Sequence, residues 1–452
     1  MLRQGYNYFY FMENIAKAKS VLNKNWRNGY TVPCSSLYPF QWNWDAGFHA
    51  IGWMYVDHKK AIEEVRSIFK GQWKNGMLPH VVFHEMNDQY FPGPSVWNIQ
   101  KSAASPEGIF TTGITQLPVF GFVLERMLQI ADAQDINIDA FVHELFPKIV
   151  NTHRYLYQKR DLHSEGLPCL FHNWESTDNA PIWDAVWERM DLTQARDVAE
   201  FRKDNKKVDA SMRPTDLDYK RYVHLIDLLN KNEFNEEHIM KSYPFLIQEN
   251  MFISFLIRSN ESLIKIGNKY NLDTKELVQW QNLSKTNFAS KFWDTENQMY
   301  YPFDLNTNSL IKKDIIGGMM ALFAGIPTTE QAKNLVDKLE HKFIKNDQWF
   351  LCPSYSSEAI DFDEKRYWRG PLWPNVNWLM YHGLKRYGYN HLADRIKEQT
   401  IYLIEHYGMY EYFNPMPEDK NSLLENNKGL GGEDFSWTAA IYLDFKYNNN
   451  LL

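Results

Sequence analysis

The stretch 172–187, HNWESTDNAPIWDAVW, sets Glu175, Asp178 and Asp184 among Trp174, Trp183 and Trp187. Neither a hydrophobic core nor a solvated loop ordinarily selects that mixture, because carboxylates avoid apolar neighbours unless they are paired or used. A carboxyl group beside indole rings sits in a low dielectric, which favours its protonated form and readies it to donate a proton. Asp45 in QWNWDAGF, Glu411 in EYFNP and Glu433 in GGEDFSW are further carboxylates in aromatic surroundings. One protonated and one ionised carboxyl together make an acid/base pair.

The ligand suited to such a pair is suggested by the aromatic content. The chain of 452 residues carries 16 Trp, 26 Tyr and 28 Phe, and many of the Trp adjoin Asp, Glu or Asn rather than aliphatic runs. Aromatic faces beside polar groups suit sugars, whose C–H faces stack on rings while their hydroxyls take hydrogen bonds. Bulky packing in a helical core accounts for part of this content as well. Cleaving a glycosidic bond requires two carboxyls, since the leaving alkoxide needs a proton and the attacking water must lose one.

Composition excludes other classes. A net charge of −7 with no basic block argues against a nucleic-acid partner. No run of about 18 apolar residues predicts a membrane span. Cys34, Cys169 and Cys352 are too widely spaced for a zinc site and odd in number for a disulfide framework, so a reducing compartment, the cytoplasm, is expected. The first twenty residues lack the apolar core of a signal peptide, and the sequons at Asn260 and Asn282 are read as chance matches. An aspartate-rich metal motif of the cyclase kind is absent from the sequence, and none of the 14 His lies in a motif suited to an epimerase. No metal and no cofactor are expected, and the oligomeric state stays open.

Most of the chain reads as helix. Apolar positions recur at three-and-four spacing in HKKAIEEVRSIFKGQ, FVHELFPKIVNTHRYLYQKR, NMFISFLIRSNESLIKIGNKY, TEQAKNLVDKLEHKFI and one long run, 376–407, among others. Alternating strand patterns are scarce. With no Pro/Ser/Gly-rich linker and no charge block to divide it, residues 1–452 read as one all-α domain. Between the helices lie loops dense in Trp, Tyr, Pro, Gly and carboxylates, including SLYPFQWNWDAGFHA, ITQLP, SMRPTDLDY, KRYWRGPLWPNVNW, EYFNP and GLGGEDFSW. Chemistry usually resides in such loops.

Five of these segments, QWNWDAGFHA, NWESTDNAPIWD, YWRGPLWPNVNW, EYFNP and GGEDFSWTAA, in that order over nearly the whole chain, resemble glycoside hydrolase family 63, in particular its compact members acting on mannosylglycerate and glucosylglycerate. The resemblance implies an (α/α)6 barrel, six helical hairpins in a toroid, and an inverting mechanism without cofactor. It places the general acid on Asp178 and the general base on Glu411. Glu433, after a flexible Gly pair, is the rival base and is otherwise expected to position water or sugar. Glu175 and Asp184 read as helix-end groups.

For the sugar pocket, Asp45 is expected to accept hydroxyls between Trp42 and Trp44, with helix N-capping as its alternative. Trp174, Trp368 and Trp373 are further stacking candidates, and Arg369 is the partner of a structural ion pair or a site residue. Gln116 matches a family substrate contact or else satisfies loop backbone. Arg213 aligns with the arginine that clamps the glycerate carboxylate in glycerate-specific members, with Tyr38, Tyr90, Tyr219 and Tyr367 around it; a surface position is the alternative. A planar guanidinium binds a carboxylate by two parallel bonds, which suits this task. A small carbohydrate is thus the expected partner, a glycosylated glycerate first and a short neutral di- or oligosaccharide second. The long polar segment 416–430 reads as a lid or a solvated insertion, and glucose is not separated from mannose.

Overall fold

A computed structural model describes residues 2–87, 89–417 and 428–447, with side chains from residue 12 onward. Six helical segments line the inside of a ring: Asn43–Met54, Phe120–Ala133, Asn250–Tyr270, the short Ala321–Ala324 with the 3-10 turn Ile316–Met320 before it, Pro374–Arg386 and Ser436–Tyr447. Each packs on the next, and Ser436–Tyr447 closes the ring on Asn43–Met54. The outer ring is formed by His58–Phe69, Asp139–Lys159, Lys275–Lys291, Thr329–His341, Asn390–Tyr407 and, packed on the last inner helix, Leu2–Asn25. This is an (α/α)6 barrel.

The outer helices follow elementary rules. Thr329–His341 opens on a capping box, in which Thr328 accepts from the Gln331 N–H and Gln331 accepts from the Thr328 N–H. It buries Ala332, Leu335, Val336 and Leu339, a three-and-four stripe. In His58–Phe69, Asp57 caps the helix by accepting from Lys59 N–H, and Ala61, Val65 and Ile68 form the buried stripe.

Two inner helices differ because neighbours cover them on nearly all sides. Every residue of Asn43–Met54 is buried, so its apolar pattern has no helical period and the sequence reads there as loop. Ser436–Tyr447, buried from Ser436 through Phe445, is hidden at the end of GLGGEDFSW for the same reason. The run 376–407 is in fact two helices, because Gly388 at φ +82° turns the chain between them. A buried cluster ties the ring together: Arg126 donates to Asp444 at 2.9 and 3.0 Å, and Trp378 Nε1 and the Tyr55 hydroxyl donate to the same carboxylate at 2.8 and 2.9 Å. Four of the six inner helices, with Tyr55 at the end of Asn43–Met54, are thereby held at one charge pair whose acceptors are satisfied, the condition under which a buried pair is tolerable.

Strands are two or three residues long and brace the loops. Gln41–Trp42 pairs with Val81–Phe83, which pairs with Phe110–Thr111; Tyr412–Phe413 pairs antiparallel with Gly429–Leu430. Residues 418–427, within the segment expected to be a lid or insertion, lie outside the described residues. No described helix is long and apolar enough to cross a membrane.

Candidate active site

Four of the six inner helices begin around one cavity. Trp42, Trp44 and Asp45 stand at the start of Asn43–Met54, Gln116 shortly before Phe120–Ala133, Trp373 at the cap of Pro374–Arg386, and Phe435 and Trp437 at the start of Ser436–Tyr447; all line the cavity. Tyr38, Tyr90, Trp174, Asp178, Arg213, Tyr219, Tyr367, Trp368 and Glu411 complete the expected set with the exception of Glu433. The empty space there, counted out to its open mouth, is about 560 Å³. Helix N-termini directed at one cavity also favour anionic ligand groups there.

Asp178 is carried by the 172–187 loop, which a buried hub holds in place. Glu175 accepts from the N–H groups of Thr115, Phe171 and His172 at 3.1, 2.6 and 3.2 Å and from Arg160 Nη2 at 2.7 and 2.8 Å. Glu175 is thus structural, as is Asp184, which takes both arms of Arg369 at 2.8 and 2.9 Å. Trp183 lies beneath the loop, donating from Nε1 to the Thr177 carbonyl at 2.6 Å, and of the three tryptophans in the stretch only Trp174 lines the cavity. Asp178 itself is half-buried. Burial pushes its carboxyl up to about 7; Arg213 opposes this and Glu411 reinforces it. At neutral pH a substantial fraction therefore holds a proton.

Glu411 is surrounded differently. It is 1% exposed and accepts from the hydroxyls of Tyr38 and Tyr367, both at 2.9 Å to Oε1, and from Gly432 N–H at 3.0 Å to Oε2. Arg213 Nη1 lies 3.9 Å from Oε2. Burial raises its carboxyl above the ordinary glutamate range, while Arg213, the Gly432 N–H and the two tyrosines pull it back. All these donors stabilise the ionised form.

Glu433 is exposed and does not line the cavity, which corrects its expected role at the sugar or the water. The Gly pair serves a different purpose. Gly431 sits at φ +73°, and a Cβ there would come within 2.4 Å of Glu411 Oε2. The two glycines let the backbone approach Glu411 so closely that Gly432 N–H reaches it, and the following Glu433 is turned outward.

The remaining wall is aromatic. Trp368 and Trp373 stack at 4.0 Å with their planes 5° apart, and Trp44 tilts against Trp368 at 6.1 Å. Trp42 meets Tyr38 and Tyr90 edge-on at 5.1 and 5.2 Å. Asp45 lies in the first turn of its helix without acting as the cap, is 3% exposed, and is held well above the ordinary aspartate range by burial first and Glu411 second. Gln116 Oε1 accepts the Trp44 N–H at 2.9 Å, so backbone uses its carbonyl end and the NH2 end is the one to offer a ligand. Arg213, 3% exposed, donates from Nη1 to the Tyr38 hydroxyl at 2.8 Å and lies over the Tyr367 ring at 4.4 Å, which disposes of a surface position. Pro33, His80, Ser176, Phe435 and Trp437 also line the cavity and were not singled out from sequence. The last two sit within the quoted GGEDFSW motif, whereas His80 carries no local signal in its apolar surroundings.

Two carboxyls facing one aromatic cavity inside an (α/α)6 barrel, one raised by burial to about 7 and the other held by two tyrosine hydroxyls, a backbone N–H and a nearby guanidinium, are the apparatus of a glycoside hydrolase. The chain belongs to glycoside hydrolase family 63, for the model of the mannosylglycerate hydrolase MGH1-like glycoside hydrolase domain matches residues 38–438. It is 37% identical to the mannosylglycerate hydrolase of Thermus thermophilus, over 94% of this chain and 99% of that one. With the glucosylglycerate hydrolase of Mycolicibacterium hassiacum it shares 28% identity, over 95% and 97%. A crystal structure of the family 63 mannosylglycerate hydrolase from Thermus thermophilus in complex with Tris and D-glycerate superposes with a TM-score of 0.87 at 35% identity, over 96% of this chain and 100% of that one.

Proposed function

We propose that this chain, acting as one catalytic domain, is an inverting α-glycosidase that releases glucose or mannose from glucosylglycerate or mannosylglycerate, with Asp178 as general acid and Glu411 as general base. The observation that carries the proposal is the different surroundings of two carboxyls in one cavity: burial raises Asp178 to about 7, whereas the rise that burial gives Glu411 is opposed by Arg213, the Gly432 N–H and the hydroxyls of Tyr38 and Tyr367. Asp178 gives its proton to the glycosidic oxygen as that bond breaks. Glu411 takes a proton from the water that attacks the anomeric carbon from the opposite face, so an α-glycoside yields a β-anomer and a free hydroxy acid. Asp45, Gln116 and the tryptophans hold the sugar, and Arg213 with Tyr90, Tyr219 and Tyr367 holds the glycerate carboxylate. The relatives named mannosylglycerate and glucosylglycerate hydrolase support the substrate class. Three free, buried cysteines accord with work in the reducing cytoplasm.

NMR of early product from both glycosylglycerates, beside trehalose, kojibiose and nigerose, tests the reading. Turnover of a glycosylglycerate with β-sugar appearing first is expected. Release of the α-anomer first overturns the roles of the two carboxyls, and a preference for the neutral disaccharides overturns the glycerate assignment.

A further inference from the structure

Arg213 has two carboxylates within reach besides any that a ligand brings. Its Nε donates to Asp204 Oδ2 at 3.1 Å, and its Nη1 lies 3.9 Å from Glu411 Oε2. In a site where the guanidinium is 3% exposed, it pairs with whichever carboxylate holds it in the better geometry. Were Asp204 absent, Glu411 would be the nearest counter-charge. Collapse onto Glu411 would occupy the edge of the guanidinium that a ligand carboxylate needs. We propose that Asp204 and Arg202 are positioning residues of the aglycone subsite, which hold Arg213 away from Glu411 and balance the charge of that carboxylate, so that the guanidinium stays open to an anionic aglycone; this rests on the glycosylglycerate reading above.

Arg202 is needed for the charge. An isolated Asp204–Arg213 pair would be neutral and attract an anion weakly. Arg202, 2% exposed along its side chain, donates to both oxygens of Asp204 at 3.1 and 2.8 Å, so the buried triad carries one more positive than negative charge, which offsets the Glu411 carboxylate 3.9 Å from Arg213. Its other partner, Asp216 at 2.8 Å, has a side chain 58% exposed, where solvent screens it. The guanidinium carbon of Arg202 also lies 4.0 Å from the centre of the Tyr219 ring, and Tyr219 lines the cavity with Arg213. One triad therefore orients two members of the proposed glycerate clamp. Burial alone would raise Asp204, yet Arg213 and Arg202 hold it below the ordinary aspartate range, so it is ionised at neutral pH.

The test compares kcat/KM for mannosylglycerate with that for uncharged mannosylglycerol in wild type, Asp204→Asn, Arg202→Gln and Arg213→Ala, with thermal unfolding as the check of folding. Asp204→Asn is expected to lower the charged-to-neutral ratio by about tenfold or more, and Arg202→Gln to shift it the same way. A purely structural role would lower both substrates alike and leave the ratio in place. The inference is overturned if Asp204→Asn keeps the ratio within about threefold of wild type, and Arg202→Gln decides by the same criterion if Asp204→Asn does not fold. If Arg213→Ala also keeps the ratio, the glycerate reading itself has failed; if Arg213→Ala alone collapses it, that reading stands and the triad has no positioning role.

Discussion

The guanidinium of Arg213 lies 3.9 Å from the carboxylate of Glu411, and the hydroxyl of Tyr38 is hydrogen-bonded to both, at 2.8 Å to Arg213 and 2.9 Å to Glu411. The group expected to recognise the aglycone is thus joined to the group expected to activate water. Arg213→Ala consequently affects the neutral substrate as well as the charged one, because it disturbs Tyr38 and Glu411. The charged substrate loses more, by about 2–5 kcal/mol in transition-state binding, since its carboxylate must enter without a counter-charge. Steady-state kinetics on a glycosylglycerate and the matching glycosylglycerol measure the difference; equal losses would count against a carboxylate clamp.

Removing either carboxyl of the pair should be severe. Asp178→Asn and Glu411→Gln are each expected to lower kcat by about 10²- to 10⁴-fold while substrate still binds. Glu433→Gln, at an exposed position outside the cavity, should retain most of the activity. An inactive Glu433→Gln beside an active Glu411→Gln would reverse the assignment of the base.

The pH profile follows from the two carboxyls. Asp178 works protonated, and burial raises it to about 7, so kcat/KM falls as pH rises through about 7. Glu411 works ionised and is raised by burial, so the acidic limb lies above the ordinary glutamate range. The two interact and titrate as a pair. Residual turnover by Asp178→Asn should lack the alkaline limb; an unaltered limb in that variant would assign it to a different group.

Gly431→Ala tests the packing beneath the base. Its Cβ would fall 2.4 Å from Glu411 Oε2 and 2.5 Å from the Tyr412 ring, at a φ of +73° that alanine rarely adopts. Displacing Glu411 by even a fraction of an ångström is expected to lower kcat by about 10²-fold, with KM changing far less. Wild-type kcat in this variant would show that the loop yields without moving the carboxylate.

Glu175→Ala bears on stability. The change strands the buried guanidinium of Arg160 and three backbone N–H groups that now donate to Glu175. Breaking a buried pair from one side costs about 3–5 kcal/mol, so the thermal midpoint should drop by several degrees or the protein should fail to accumulate. A midpoint equal to that of wild type would mean that the 172–187 loop is anchored elsewhere.

The sequence by itself carried the outer helices, because a helix with one wet face keeps a three-and-four apolar stripe, as in Ala332, Leu335, Val336 and Leu339. It also carried the loop motifs around Asp178, Asp45, Trp373 and Glu411, where the type of residue announces the chemistry. The inner helix Asn43–Met54 was illegible because neighbours bury all its faces, which removes the contrast that periodicity reads. Only the tertiary structure separated Glu411 from Glu433. Both are acids in aromatic loops, and the difference arises where Gly431 and Gly432 turn the backbone against one and carry the other into solvent. Asp204 and Arg202 likewise look like ordinary surface charges within FRKDNKK, and become a support for Arg213 only when the fold buries them beside it. Local pattern determines helices and side-chain chemistry; which carboxylate meets which arginine is decided by contacts between residues far apart in the chain, to which no local signal extends.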